Sequence, residues 1–302
     1  MRNISQKQQG ILLLVIGTIF WGMTFVFIKE AVETLNVASF LFYRFALAAL
    51  SLAIVFYKRL AKINVDVIYK GVLLSIPLCI GFVTQTIGVK YTTASNAGFI
   101  TGLSVVLVPL IVSMMDRVWP NRATVIAVVL STAGLALITL NESLSLNVGD
   151  WWVFACAFAF AVYVYMVSRE SGKHDSILLT LVQLVVVAIF AFVLGVSSEG
   201  ISIPSSYIEW QGIAFCALLA TTFMYTVQNH YQQFLTATST AIIFSLEPLF
   251  AAITAFIVLQ EEITSKIVVG GLLILSGMII CELYDVMLER AAKLVRAVRG
   301  KE

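Results

Sequence analysis

The chain is 302 residues long, 60% hydrophobic and 12% charged, with a mean hydropathy of +0.97 and a net charge of +2. Soluble globular chains are about a quarter charged, so this composition argues against a soluble enzyme and against a nucleic-acid binder. It defines an all-α, polytopic membrane protein.

The first apolar stretch, 11–28, follows a polar leader with Arg2 and Lys7. It ends at Lys29-Glu30 without a small-x-small cleavage site, and is expected to remain as a first membrane helix. Trp21, Thr24 and Phe25 put rings and a hydroxyl near one face of it. The second span, 38–57, carries Arg44, the one basic residue well inside a span. Its place toward the outer end fits snorkelling, an interior ion pair or carboxylate binding. The third span, 68–89, holds Gln85, and a tight turn at Lys90-Tyr91-Thr92-Thr93 separates it from the fourth, 94–115, with Asn96, Thr101 and Pro109. Span 123–140 follows, then 151–167 with Tyr163 and 177–196 with Gln183. Span 211–228 places Tyr225 and Gln228 three apart on one face. Span 238–259 holds Ser245, Glu247 and Pro248, and 268–284 ends the series. Most of these ten reach the roughly 17–25 residues that cross a ~30 Å hydrocarbon layer.

With the N-terminus in the cytoplasm, nearly all Lys and Arg fall in cytoplasmic junctions and tails, leaving Lys29, Lys90 and Lys266 opposite. That asymmetry predicts ten crossings with both termini inside. The basic tail, 289–302, is expected to rest on anionic inner-leaflet lipid. Cys79, Cys156, Cys216 and Cys281 stand singly in apolar tracts and read as packing thiols. Gly10, Gly17 and Gly22, Gly98 and Gly102, and Gly270, Gly271 and Gly277 invite close helix approach. They leave monomer and homodimer both open.

Cut near 141–149, the chain falls into five spans and five spans, so homology between halves would make an inverted repeat. The stretch 94–103 is similar to 238–247: small and hydroxylated at the start, then apolar, after a turn bearing Tyr91 or Tyr231. Inverted halves supply two near-equivalent packings about a central site. Ser104 stands where the repeat would match Pro248, and the fourth span has its proline at Pro109.

Taken together, several fragments resemble the EamA-like ten-helix branch of the drug/metabolite transporter superfamily. They are Trp21-Gly22-Met23-Thr24-Phe25 with Lys29, Phe42-Tyr43-Arg44-Phe45, Gly88 through Ala97, Ser245-Leu246-Glu247-Pro248 to Glu261-Glu262, and Gly270-Gly271 to Gly277. The resemblance covers essentially the whole chain, departing at Met115-Asp116-Arg117 from the family's frequent Gly-Glu. It implies a carrier of the bacterial or archaeal cytoplasmic (inner) membrane, often an exporter of amino acids or related metabolites. Its cavity would lie between two inverted five-helix repeats, here 1–145 and 146–288.

Glu247 lies near mid-membrane and must face protein or water. Proton coupling, contact with a substrate amine, and a structural role beside a bend at Pro248 all fit it. Cavity candidates are Trp21, Thr24, Phe25, Gln85, Asn96, Thr101, Tyr163, Gln183, Tyr225, Gln228, Ser245 and Glu247; each equally fits satisfied interhelical packing. Pro109 and Pro248 are hinge candidates, and His230 fits a helix-end role or a titrating group. The expected partners are a small solute, membrane lipid and a coupling proton, with no cofactor, metal or nucleic acid. No G-K-[ST] loop, G-x-S-x-G or H-E-x-x-H pattern occurs, which disfavours an ATP-driven pump or a membrane enzyme. A channel is the third class, disfavoured by the repeat. The leading reading is a secondary transporter working by alternating access. The alternative is multidrug organic-cation efflux, with Glu247 attracting the cation and Trp21, Phe25 and Tyr225 offering ring faces.

Overall fold

The computed structural model describes residues 5–92, 94–139, 147–259, 265–266, 268–277, 279–280 and 283–284. The tail 289–302, Glu261-Glu262, Cys281 and the side chain of Asn96 lie outside what it describes. Among the described residues every regular element is helical. They are α1 (Gln6–Thr34), α2 (Val37–Val55), α3 (Tyr57–Leu60), α4 (Val65–Tyr91), α5 (Ala94–Gly102), α6 (Ser104–Asp116) and α7 (Arg122–Thr139). After these come α8 (Val148–Glu170), α9 (Ser176–Ser197), α10 (Tyr207–Phe215), a π segment (Cys216–Phe223), α11 (Met224–Tyr231), α12 (Ala237–Phe244), α13 (Glu247–Leu259) and α14 (Val268–Gly277). Seven helical stretches are long and apolar enough to cross a membrane, and Ile100–Asp116, Arg122–Gly134 and Val268–Gly277 are shorter apolar helices.

Helix starts follow local chemistry. Ser5 and Gln8, Asn147 and Asp150, and Ser206 and Glu209 form reciprocal capping boxes, while the side chains of Asn36, Asn64, Asp175 and Thr236 cap α2, α4, α9 and α12. Lys29 Nζ donates to the carbonyls of Val89 and Thr92, both at 3.0 Å, where α4 leaves its last acceptors open.

Three expected spans are not single α-helices. The fourth is interrupted at Leu103, whose N–H bonds back to Ile100 in a tight 3₁₀-like turn just after Gly102. The ninth is interrupted at Ser245–Leu246. Pro248 lacks an N–H and its ring would collide with the carbonyl one turn earlier, so it sits in the first turn of α13, where proline is tolerated. Pro109 instead lies within α6. The eighth span widens into the π segment between α10 and α11.

The α1 helix runs through the interior, packed on α4, α5, α10, α11, α12 and α13. Outside it, α4 lies against α8 and α9, and α2 against α9. The glycines of α1 serve these contacts within the chain. A Cβ on Gly22 would stand 2.7 Å from the Ala251 nitrogen and 2.9 Å from the Glu247 carbonyl oxygen. Backbone cannot swing aside as a side chain can. Gly22→Ala is therefore expected to destabilise the bundle by about 1–3 kcal/mol, read as a lower unfolding temperature in detergent. Gly98→Ala, whose Cβ would meet the Phe25 ring at an ordinary 3.6 Å, should leave it unchanged.

Candidate functional site

Near the interrupted helices, side chains from seven helices converge on one cleft. Trp21 and Thr24 come from α1, Arg44 from α2, Phe82 and Gln85 from α4, Thr101 from α5, Phe160 from α8, Tyr225 from α11 and Glu247 from α13. The free space is about 30 Å³, room for about two waters.

Arg44 is not at a membrane edge. Only 2% of its surface is exposed, because α2 begins at Val37 and carries it two turns into the bundle. Its Nε donates to Thr221 Oγ1 at 2.9 Å, and its guanidinium lies 4.7 Å from the centre of the Phe82 ring and 5.5 Å from that of Phe45. Snorkelling is thus ruled out, and the ion pair is absent among the described residues. Nη1 is buried and has no hydrogen-bond partner among them.

The π segment explains how Arg44 is reached. An i→i+5 turn is wider than an α turn and shifts the register of everything after it. Here it presents Thr221 to Arg44, and the Ala220 carbonyl accepts from Trp21 Nε1 at 2.7 Å. Thr222 on the same segment donates to the Ala48 carbonyl on α2. Trp21, so fixed, packs edge-on to Phe244 at 4.8 Å and against Tyr225 at 5.8 Å.

Glu247, 6% exposed, opens α13, where the helix dipole favours an anion. Among the described residues its carboxylate makes no hydrogen bond and no ion pair, with Arg44 or with any other cation. Thr101 Oγ1 has the buried Cys156 thiol beside it, and the Gln85 amide makes no hydrogen bond among the described residues. Arg44 Nη1, Glu247 and Gln85, on three helices, therefore face one small space unsatisfied by these neighbours. Unpaired polar groups inside a membrane bundle are costly.

Other candidates lie elsewhere. Tyr163 OH donates to Gln183 Oε1 at 2.7 Å, and Gln183 Nε2 to Asn229 Oδ1 at 3.3 Å. Asn229 Nδ2 reaches Thr180 Oγ1 and the Tyr225 carbonyl. This closed network braces α8, α9 and α11 behind the Tyr225 ring. Gln228 Nε2 bonds Gln232 Oε1, and Gln232 in turn bonds the Val164 carbonyl of α8. Ser245 donates to the Ile242 carbonyl at the end of α12, and Phe25 is core. His230 is at a helix end, 3.2 Å from Ser176 Oγ. Phe82 and Phe160 were not anticipated: the chain has 20 Phe, and nothing local separates wall residues from packing ones. Thr221 carried a weak signal, as half of a hydroxyl pair inside an apolar tract.

A many-helix membrane bundle enclosing a polar, aromatic-walled cleft beside interrupted helices is the architecture of membrane carriers. The chain belongs to the EamA-like transporter family, which matches residues 8–140 and 147–282 and is part of the drug/metabolite transporter superfamily. Two Archaeoglobus fulgidus proteins described as uncharacterized transporters are 30% and 29% identical to it, each over 276 residues. They cover 88% and 89% of this chain and 94% and 84% of their own. The uncharacterized transporter YyaM of Bacillus subtilis is 25% identical over 301 residues, covering 92% of this chain and 97% of its own. A solved crystal structure superposes with a TM-score of 0.75 over 93% of this chain and 99% of that one; at 14% identity the likeness concerns the fold alone.

The two kinds of polar residue should separate on mutation. Asn229→Ala strands Gln183 and the hydroxyls around it, and is expected to cost about 1–3 kcal/mol of stability. Gln85→Leu removes an amide with no partner among its neighbours and should leave thermal unfolding in detergent unchanged or slightly raised.

Proposed function

We propose that this protein is a secondary transporter of small dipolar metabolites, amino acids or close relatives, which it exports by alternating access through the cleft between Arg44 and Glu247. One observation carries the reading: a guanidinium and a carboxyl group line the same space and are not paired with each other. A zwitterion satisfies both at once, its carboxylate on Arg44 Nη1 and its ammonium on Glu247, with Thr101 and Gln85 supplying neutral contacts. The rings of Trp21, Phe82, Phe160 and Tyr225 wall the cleft and would receive an apolar side chain once it widens beyond the about 30 Å³ now free. A simple organic cation would satisfy Glu247 and leave the Arg44 guanidinium repelling it.

The architecture behind this reading is ten crossings in two inverted five-helix repeats, both termini in the cytoplasm of a bacterial or archaeal cell. Two features support it: an interruption at Leu103 in the first matched segment and at Ser245–Leu246 in the second, and the Lys/Arg asymmetry of the junctions. Glu247 couples the cycle to protons, because its carboxyl group has no partner among the described residues and can exchange a substrate ammonium for a proton.

Counterflow in proteoliposomes tests the proposal, with pools of amino acids, nucleosides and organic cations. Trans-stimulated exchange confined to zwitterions is expected; exchange of organic cations alone overturns the reading. Arg44→Gln should weaken carboxylate-bearing solutes about tenfold or more. Glu247→Gln should weaken ammonium-bearing solutes in the same way and leave the remaining exchange without a response to an imposed pH gradient. For orientation, a single cysteine at Lys62 should be labelled from the cytoplasmic side by a membrane-impermeant reagent.

A further inference from the structure

A second cavity, of about 570 Å³, lies on the outside of the bundle along the seam between α4 and α8. Leu73 and Met166 stand at one end, Ile80 and Phe154 at the other, and the buried Pro77 and Ala159 form the floor. From Leu73 to Ile80 it runs about 10 Å along the helix axis, and every side chain that lines it is apolar. Both helices are among the stretches able to span a membrane, so the groove opens onto hydrocarbon rather than water. Left unfilled, its walls lose the dispersion contacts that a chain of methylenes would restore.

One helical turn beyond Leu73 and Met166 the chemistry changes. Lys70 Nζ and Lys173 Nζ lie 3.2 Å and 3.6 Å from the same oxygen of Glu170. Asp66 and the other Glu170 oxygen face His174, at 3.3 Å and 3.4 Å. Two ammonium groups thus share one carboxylate oxygen, and Lys173, with 60% of its side chain exposed, is the one placed to turn outward. Tyr69, 62% exposed beside Lys70, marks the same level as the membrane–water interface, where tyrosines concentrate.

The geometry points to a phospholipid site in which one acyl chain lies in the α4–α8 groove and the anionic phosphate sits against Lys70 and Lys173. The two walls also reach the central cleft from their opposite faces, through Phe82 and Gln85 on α4 and Phe160 on α8. A chain in the groove therefore wedges the two helices whose separation sets the width of that cleft.

Native mass spectrometry of the full chain in mild detergent, titrated with phosphatidylglycerol or phosphatidylcholine, tests this. One phosphatidylglycerol per chain is expected, retained about fivefold more strongly than phosphatidylcholine, as about 1 kcal/mol from one lysine, Lys173, turned from the shared Glu170 oxygen to the phosphate predicts. Ala159→Trp, which fills the groove, should abolish retention of both. Ala155→Leu, at an exposed position on the groove wall, does the same job if the larger change impairs folding. Lys70→Gln with Lys173→Gln should erase the preference between headgroups while a chain still binds. Unchanged retention in a folded groove-filling variant overturns the proposal, as does a dimer that forms through this face and excludes lipid.

Discussion

A guanidinium held in the middle of a membrane bundle constrains everything near it. Placing an arginine at the centre of a spanning helix costs about 2.5–3.5 kcal/mol even by the mildest scale, and Arg44 offsets this with one hydroxyl and two ring faces. The hydroxyl belongs to Thr221, which points there because the chain takes π rather than α turns from Cys216 to Phe223. The same turns make the Ala220 carbonyl the acceptor for the Trp21 indole. Charge, irregular helix and aromatic wall thus form one assembly joining α1, α2 and the α10–α11 stretch. The closed hydrogen-bond network of Tyr163, Gln183, Asn229 and Thr180 braces that assembly from behind without entering the cleft.

Glu247 depends on a different device. It sits where a helix restarts, so its carboxylate meets the positive end of α13 rather than a neighbouring cation. Gly22 allows α1 to pass close enough to hold that first turn in place. Arg44 and Glu247 are each stabilised separately, and this independence leaves both able to address a third party.

Much of this was legible in the sequence. Apolar tract lengths located the helices, and Trp21, Thr24, Gln85, Thr101, Tyr225 and Glu247 stood out as polar or amphipathic groups in an apolar field; these six meet at the cleft. Pro248 announced a discontinuity. What pattern could not supply was rotation about the helix axes. Tyr163 and Gln183 carry the same chemistry as the cleft residues but turn toward neighbouring helices, Gln228 bonds Gln232 one turn on, and Phe25 turns into the core, because spans that are apolar all round carry no stripe to say which face is inward. The surroundings of Arg44 were hidden for a related reason: its partner Thr221 is turned toward it by a π segment that no local residue pattern announces. The interruption at Leu103 has no proline to mark it and only Gly102 beside it.

The cleft draws its charges and its rings from different places, and this bears on how such a protein changes over generations. Arg44 and Glu247 lie on α2 and α13, while the Phe82 and Phe160 walls lie on α4 and α8. Drift at Phe160 reshapes the space beside the two charged groups, whereas drift at Phe82 also takes a ring face from the Arg44 guanidinium. On the proposed reading, a lineage carrying this arrangement would shift from one solute to another by substitutions that leave both charged groups in place. Divergence in substrate among relatives that keep the two charges would then be concentrated on the ring-bearing helices.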